Sequence, residues 1–208
     1  MIAVEIHRKS FGQSQVLGQL GFTLGQGEAV AVLGPSGVGK STLLRIVAGI
    51  DRQFEGHVDR PERMGMVFQE PTLLPWRTAL QNLTLVHREL PEAAARVALE
   101  KVGIGDKAEL FPGQLSLGQQ RRLSLARAFA GRPQLLVMDE PFVSLDPETA
   151  EGMMQLTERL IAEVRPAVLL VTHAREEATR LTGRILHLQG SPAVLRAEGK
   201  DHLRSVSP

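Results

Sequence analysis

Four short apolar runs punctuate the chain, and each stops abruptly on polar residues. Ala29–Leu33 (AVAVL) stops at GPSGVGKST, 64–68 (MGMVF) at Gln69, 135–138 (LLVM) at Asp139 and Glu140, and 168–171 (VLLV) at Thr172 and His173. Runs this short and unbroken do not alternate as a half-solvated strand would, so they predict strands buried on both faces, as in a parallel sheet covered by helices. In open α/β sheets the ligand binds beyond the carboxyl ends of the strands. All four runs deliver their polar residues at that end.

Helical patterns separate these strands. The stretch 41–49 (STLLRIVAG) has apolar residues at near-helical spacing and closes on Gly49 as a C-terminal cap. The stretch 91–103 (PEAAARVALEKVG) opens on proline and closes on glycine, and 147–164 opens the same way with Asp146 placed as N-cap. The first 27 residues and 56–63 predict shorter strands and turns. Residues 70–132 read as mostly helical, a lobe inserted between core strands at 1–69 and 133–208.

Composition changes this picture little. The chain has 208 residues, enough for one domain with a lobe, and 24 Lys and Arg nearly balance 23 Asp and Glu. That balance gives no reason to expect nucleic acid as a partner. With no cysteine, disulfides and thiolate metal sites are excluded, and a reducing compartment is compatible. The opening MIAVEIHRKSFG carries Glu5, His7 and Arg8 where a leader would need an apolar core. No apolar run approaches the roughly 20 residues that span a bilayer, so any action at a membrane is expected to go through a partner.

The chemistry begins at residues 34–41, which spell G-x-x-x-x-G-K-S between a strand and a helix. Glycines there permit a tight turn whose backbone N–H groups converge on phosphate oxygens, aided by the helix dipole. Gly34, Pro35, Ser36, Gly37, Val38, Gly39, Lys40, Ser41 and Thr42 are therefore the candidate triphosphate cradle. Lys40 is expected to reach the β- and γ-phosphates, and Ser41 to bind Mg²⁺. Asp139, ending its strand, suits a second Mg²⁺ contact. Glu140 beside it suits the polarisation of an attacking water, a role worth roughly 10² to 10⁴ in rate. The guanine-reading N-K-x-D pattern of GTPases is absent from the sequence.

The stretch LSLGQQRR, 115–122, holds no carboxylate, histidine or cysteine. Ser116 and Gln119 nevertheless form a capping box at the head of a helix, and Gly118 keeps its first turn free of bulk. A helix N-terminus so built attracts anions without a charged side chain. The same features also describe a plain, well-capped helix.

The order of phosphate loop, Gln69, LSLGQ, LLVMDE, Ser144-Leu145-Asp146 and His173 resembles that of ATP-binding cassette (ABC) ATPases over nearly the whole chain. The resemblance implies a P-loop NTPase core of the α/β class with a mainly parallel sheet, an N-terminal antiparallel β part and the inserted α-helical lobe. It implies that Ser116, Gly118 and Gln119 of one copy meet the γ-phosphate of ATP held by a second copy, in a two-fold dimer. Phe11 is then expected to stack on adenine, and Gln69 to sense Mg²⁺ and the γ-phosphate. Asp146 would cross the interface, and His173 would orient Glu140 and water. Three departures stand out: Leu117 where the family has glycine, Ala174 where it has aspartate, and Gly183 in place of a second aspartate. The last two suggest a looser C-terminal part.

The segment 67–82 (VFQEPTLLPWRTALQN) is expected to expose Leu73, Leu74 and Trp76 in a proline-bounded loop, a form that looks like importers of the nitrate, sulfonate and taurine group. The resemblance implies permease subunits docking near 69–77, a solute-binding protein acting through them, and a place at the cytoplasmic face of the membrane. Two other readings stay open at this point. One is a non-transport ABC ATPase; the other is a P-loop kinase acting on a small molecule.

Overall fold

The computed structural model describes residues 1–197; the end of the expected core, 198–208, lies outside the described residues. Four parallel strands form the centre: β4 (Ala29–Leu33), β6 (Met64–Val67), β7 (Leu135–Asp139) and β8 (Ala167–Thr172). Each side of this sheet has its own apolar cluster. Ala31, Leu33, Leu136, Met138, Val168 and Leu170 point to one, while Val30, Val32, Leu135, Val137, Leu169 and Val171 point to the other. The unbroken apolar runs arise from that double burial.

The remaining strands are β1 (Ile2–Phe11), β2 (Ser14–Leu17), β3 (Leu20–Leu24), β5 (Glu55–Asp59), β9 (Arg184–Gly190) and β10 (Ala193–Ala197). The sheet runs β3-β1-β2-β10-β9-β4-β8-β7-β6, with β5 paired to β1. β1 pairs antiparallel with β2, β3 and β5, giving the antiparallel N-terminal part. Its ten residues exceed the short strands expected there. Residues 2–6 pair with β3 while 3–8 pair with β5, and 9–11 continue into the pairing with β2, so three partners together keep the strand long.

The helices are α1 (Lys40–Val47), α2 (Ala79–Thr84), α3 (Glu92–Lys101), α4 (Leu117–Ala130), α5 (Pro147–Val164) and α6 (Arg175–Leu181). Among the described residues only α1 covers the face towards β1 and β3; α2 to α6 pack on the other. Gly49 follows α1 at φ 73°, the left-handed cap its position predicts. The segment 70–132 holds α2, α3 and α4 with two short 3₁₀ turns. Among the described residues, no helix is long and apolar enough to cross a membrane.

Candidate nucleotide site

Register brings the polar strand ends into line. Leu33 lies opposite Thr172, Val171 opposite Asp139, and Met138 opposite Val67. The phosphate loop, His173, Glu140 and Gln69 therefore leave the sheet at one edge, although they are scattered in sequence.

The loop from Gly34 to Gly39 fits a phosphate cradle. Gly37 and Gly39 sit at φ 77° and 113°, which an L side chain resists. At Gly34 the constraint is space: a Cβ would lie 2.6 Å from the Leu188 carbonyl oxygen of β9 and 3.0 Å from Val38 Cγ1. Lys40 opens α1, only 5% exposed, and its ammonium donates to the Gly34 (2.9 Å) and Pro35 (3.0 Å) carbonyls. It also lies 3.4 Å from Glu140 Oε1. Those partners hold the amine directly over the loop.

Ser41 Oγ donates to Asp139 Oδ1 at 3.3 Å, so a hydroxyl and a carboxylate oxygen stand side by side below the loop. Burial pushes the Asp139 carboxyl above its ordinary range, against the lowering effect of the Ser41 hydrogen bond, and neighbouring Glu140 adds to the upward push. A cation there would relieve that burial. Two oxygen donors are too few for calcium's all-protein cage but match Mg²⁺, which takes one or two protein ligands together with substrate phosphates.

Glu140 occupies a left-handed backbone conformation, φ 45°, just past the end of β7. Its Oε2 lies 3.3 Å from His173 Nδ1, and its side chain is 19% exposed. One carboxylate thus faces both the loop lysine and the strand-end histidine. The turn bearing His173 is pinned from behind: Thr172 Oγ1 donates to Glu177 (2.6 Å) and accepts from the Ala174 N–H (3.0 Å). Burial raises the Glu177 carboxyl pKa despite the Thr172 bond.

The LSLGQ stretch forms the capping box its spacing predicts. Ser116 Oγ accepts from the Gln119 N–H (3.3 Å), and the Gln119 amide oxygen accepts from the Ser116 N–H (2.9 Å). That leaves the Ser116 hydroxyl proton, and the Leu117 and Gly118 N–H groups in the first turn, without a helical acceptor. A Cβ on Gly118 would meet only Thr149 Cγ2, at an ordinary 3.6 Å. Thr149 belongs to the first turn of α5, where Asp146 accepts from its N–H at 3.0 Å. The two helix heads therefore lie side by side. Among the described residues no hydrogen bond or ion pair joins Ser116 or Gln119 to the phosphate loop. Leu117, in the first turn of α4, is half exposed, at 50%.

Phe11 ends β1 with its ring 55% exposed. Gln69 is exposed at the end of its strand. In the loop beyond, Trp76 is 66% exposed, but Leu73 packs against the core, which corrects the expectation that it faces solvent with Trp76. Fully buried Asn82 shapes that loop: it accepts from the Leu74 N–H and donates to the Leu74, Arg77 and Thr78 carbonyls. Ala174 heads α6 with no side-chain cap, and a Cβ on Gly183 would meet open space.

A sequence profile of ABC transporters matches residues 17–143. The chain belongs to the ABC transporter family. It is similar to the aliphatic sulfonates import ATP-binding protein SsuB of Mycobacterium sp. strain MCS, 46% identical over 194 residues that cover 90% of this chain and 79% of that protein. It resembles SsuB 2 of Frankia alni equally, 46% over 183 residues, covering 88% and 74%. Among solved structures it is similar to the dimeric, post-hydrolysis ATP-binding cassette MJ0796 bound to ADP and Pi, with TM-score 0.80 and 30% identity over 99% of this chain and all of that one. This ABC chain is thus an ATPase that uses ATP with Mg²⁺, on a P-loop NTPase fold. The kinase reading falls with that assignment.

Sequence reasoning missed three neighbours of the site. Lys9 lies under the Phe11 ring. Arg121, in α4, donates to the Pro141 and Val143 carbonyls just beyond Glu140. Arg127, further along α4, donates to Pro71 and Thr72 just beyond Gln69. A break in the alternation of β1 could have flagged Lys9. The arginines carried no signal, because their acceptors are main-chain carbonyls and, for Arg127, also the Thr72 hydroxyl, all distant in sequence.

Proposed function

We propose that this chain is the ATP-hydrolysing subunit of a small-solute importer of the aliphatic sulfonate group. It would sit at the cytoplasmic face of the membrane through permease subunits that dock against 69–77, with a solute-binding protein acting on the far side. The observation that carries the reading is the split site. The loop, Lys40, Ser41, Asp139, Glu140 and His173 converge at one sheet edge, while among the described residues no bond joins Ser116 or Gln119 to that loop. Two copies related by a two-fold axis would each supply what the other lacks. The sulfonate assignment rests on the likeness to SsuB proteins, and Trp76 on its Asn82-braced loop is the anchor for the permease.

The loop N–H groups of residues 36–41 bind the β-phosphate, and Lys40 exchanges its carbonyl partners for β- and γ-oxygens. Ser41 and Asp139 would hold Mg²⁺, which would supply charge neutralisation for the phosphates. Glu140 accepts a proton from a water whose oxygen bonds to the γ-phosphorus as the bond to the bridging oxygen of ADP breaks. His173 holds Glu140 in line and donates to the γ-phosphate; Gln69 reads the same phosphate and passes its presence to the docking loop. Phe11 stacks on the adenine. From the second copy, Ser116, Gly118 and Gln119 close on the γ-phosphate, and Asp146 crosses beside them. Because the γ-phosphate binds both halves, its loss removes the differential affinity that favours the closed dimer.

Glu140→Gln should bind ATP with Mg²⁺ and elute as a stable dimer with almost no phosphate release. Adding Ser116→Arg should leave ATP bound to a monomer. A Glu140→Gln protein that turns over normally removes Glu140 as the base. A double variant that still dimerises with ATP refutes the contact in trans. Reconstitution with its permease should make ATPase activity respond to an alkanesulfonate presented by the solute-binding protein; a response to nitrate alone would reassign the solute.

A further inference from the structure

The first strand carries a buried cation that the nucleotide chemistry described above does not use. In β1 the alternating positions Ile2, Val4 and Ile6 are buried, so Arg8 is next in phase. Instead Arg8 is exposed and Lys9 is 2% exposed. The register of β1 slips between Ile6 and Arg8 against β5, and again between Lys9 and Ser10 against β2. Bulges of this kind re-aim a side chain, and here they turn Lys9 inward.

A buried ammonium needs partners, and Lys9 has three kinds. Its Nζ lies 2.8 and 2.6 Å from the two Asp51 carboxylate oxygens, donates to the Gln53 carbonyl at 2.7 Å, and sits 4.5 Å from the centroid of the Phe11 ring. Asp51 is fixed in turn by the end of the loop helix: the Ile50 and Asp51 N–H groups both donate to the Arg45 carbonyl of α1. The strand that presents Phe11 is therefore tied, through one ammonium, to the far end of the helix whose first residue is Lys40.

We propose that Lys9 is a positioning residue for the nucleotide base, fixing the Phe11 ring from behind and setting its reach from the phosphate loop, so that adenine stacks on the ring's open face. Aromatic rings carry negative charge on their faces, which repel when stacked squarely. A cation behind one ring draws that charge towards itself and leaves the outer face a better platform for an electron-rich purine. The inference rests on Phe11 being the base platform.

Equilibrium binding of Mg-ATP and of Mg-tripolyphosphate to the full chain separates base from phosphate. Lys9→Met should weaken ATP about tenfold, the scale of a desolvated cation–π contact, and leave tripolyphosphate within about twofold. In a Phe11→Leu background the same change should cost ATP less than about twofold, because the ring it supports is gone. Unchanged ATP affinity in Lys9→Met, or an equal loss for tripolyphosphate, overturns the inference. If Phe11→Leu by itself leaves ATP affinity unchanged, the platform reading fails and this inference with it; if Phe11→Leu weakens ATP while Lys9→Met does not, only the Lys9 role falls. Should Lys9→Met not fold, Asp51→Asn, which frees the ammonium while keeping the shape, is read by the same two ligands, with about a threefold ATP-selective loss expected.

Discussion

Arg121 and Arg122 stand side by side at the head of α4, yet they are expected to behave very differently when removed. Arg121 is 5% exposed; its guanidinium donates to the Pro141 carbonyl (2.9 Å) and the Val143 carbonyl (3.1 Å), while its Nε has no partner. Pro141 directly follows Glu140. Replacing Arg121 by methionine deletes two charge-assisted bonds of about 1.5–3 kcal/mol each. Relief from burying a cation whose carboxylate neighbour, Glu70, makes no hydrogen bond to it returns about 1–4 kcal/mol. The net loss should be about 2 kcal/mol, read as a lower urea midpoint at unchanged slope. The larger effect should be on turnover. A catalytic group displaced by about 1 Å can lose about 10² in rate, so phosphate release at saturating ATP should drop about 10- to 100-fold, with the KM for ATP within about threefold. Arg122 donates only to the Val102 carbonyl at the end of α3, at 2.8 Å, so Arg122→Met should cost about 1 kcal/mol and leave turnover near normal. If Arg121→Met loses stability but keeps its turnover, the tether does not hold Glu140. If both arginines slow turnover equally, the loss reflects the lobe as a whole.

Three further outcomes follow from the geometry. Gly34→Ala should abolish measurable ATP binding, since its Cβ would press 2.6 Å from the β9 backbone. Gly37→Ala, with open space but φ 77°, should cost about 1–2 kcal/mol of backbone strain and only about tenfold in affinity; titration of both variants checks the contrast, and equal losses would contradict it. Asn82→Ala leaves the Leu74 N–H and the Arg77 carbonyl without a partner, while the Leu74 and Thr78 carbonyls keep backbone ones, and should destabilise by about 2 kcal/mol. The lone tryptophan, Trp76, should shift in emission well below the unfolding midpoint; an unchanged spectrum means the loop holds without Asn82. The Thr149 hydrogen bonds at the head of α5 lower the Asp146 pKa from its ordinary 3.8. That contribution is complete above the unfolded value and is lost as pH falls through the lower folded one. Between pH 5 and about 3 the wild type should therefore lose urea resistance faster than Asp146→Asn, and parallel pH curves would refute it.

Much of the core was legible because its signals are local. Double burial makes strands such as 135–139 continuous apolar runs, and α5 spans 147–164 as its Asp-Pro opening predicts. Ser116 and Gln119 lie three residues apart, so their box could be read directly. What escaped depends on partners distant in sequence. Lys9 faces inward only because strand register slips, and a slip is a property of the pairing. Arg121 and Arg127 are held mostly by carbonyls, which every residue carries, so no residue type marks them. Leu73 looked like part of an exposed loop, but the core cluster draws it down while Trp76 stays out.

The floor beneath Gly34 is the Leu188 carbonyl of β9, a strand that joins β4 from the far end of the chain. A ribosome has therefore made every residue from the glycine loop through β9 before the triphosphate cradle can take its final shape. Nascent fragments carrying the glycine loop and its helix, but lacking β9, would display the motif without the wall that tightens it. Affinity for ATP should arrive only once β9 is in place, and all at once, which keeps nascent copies without that strand from capturing nucleotide or pairing with finished ones.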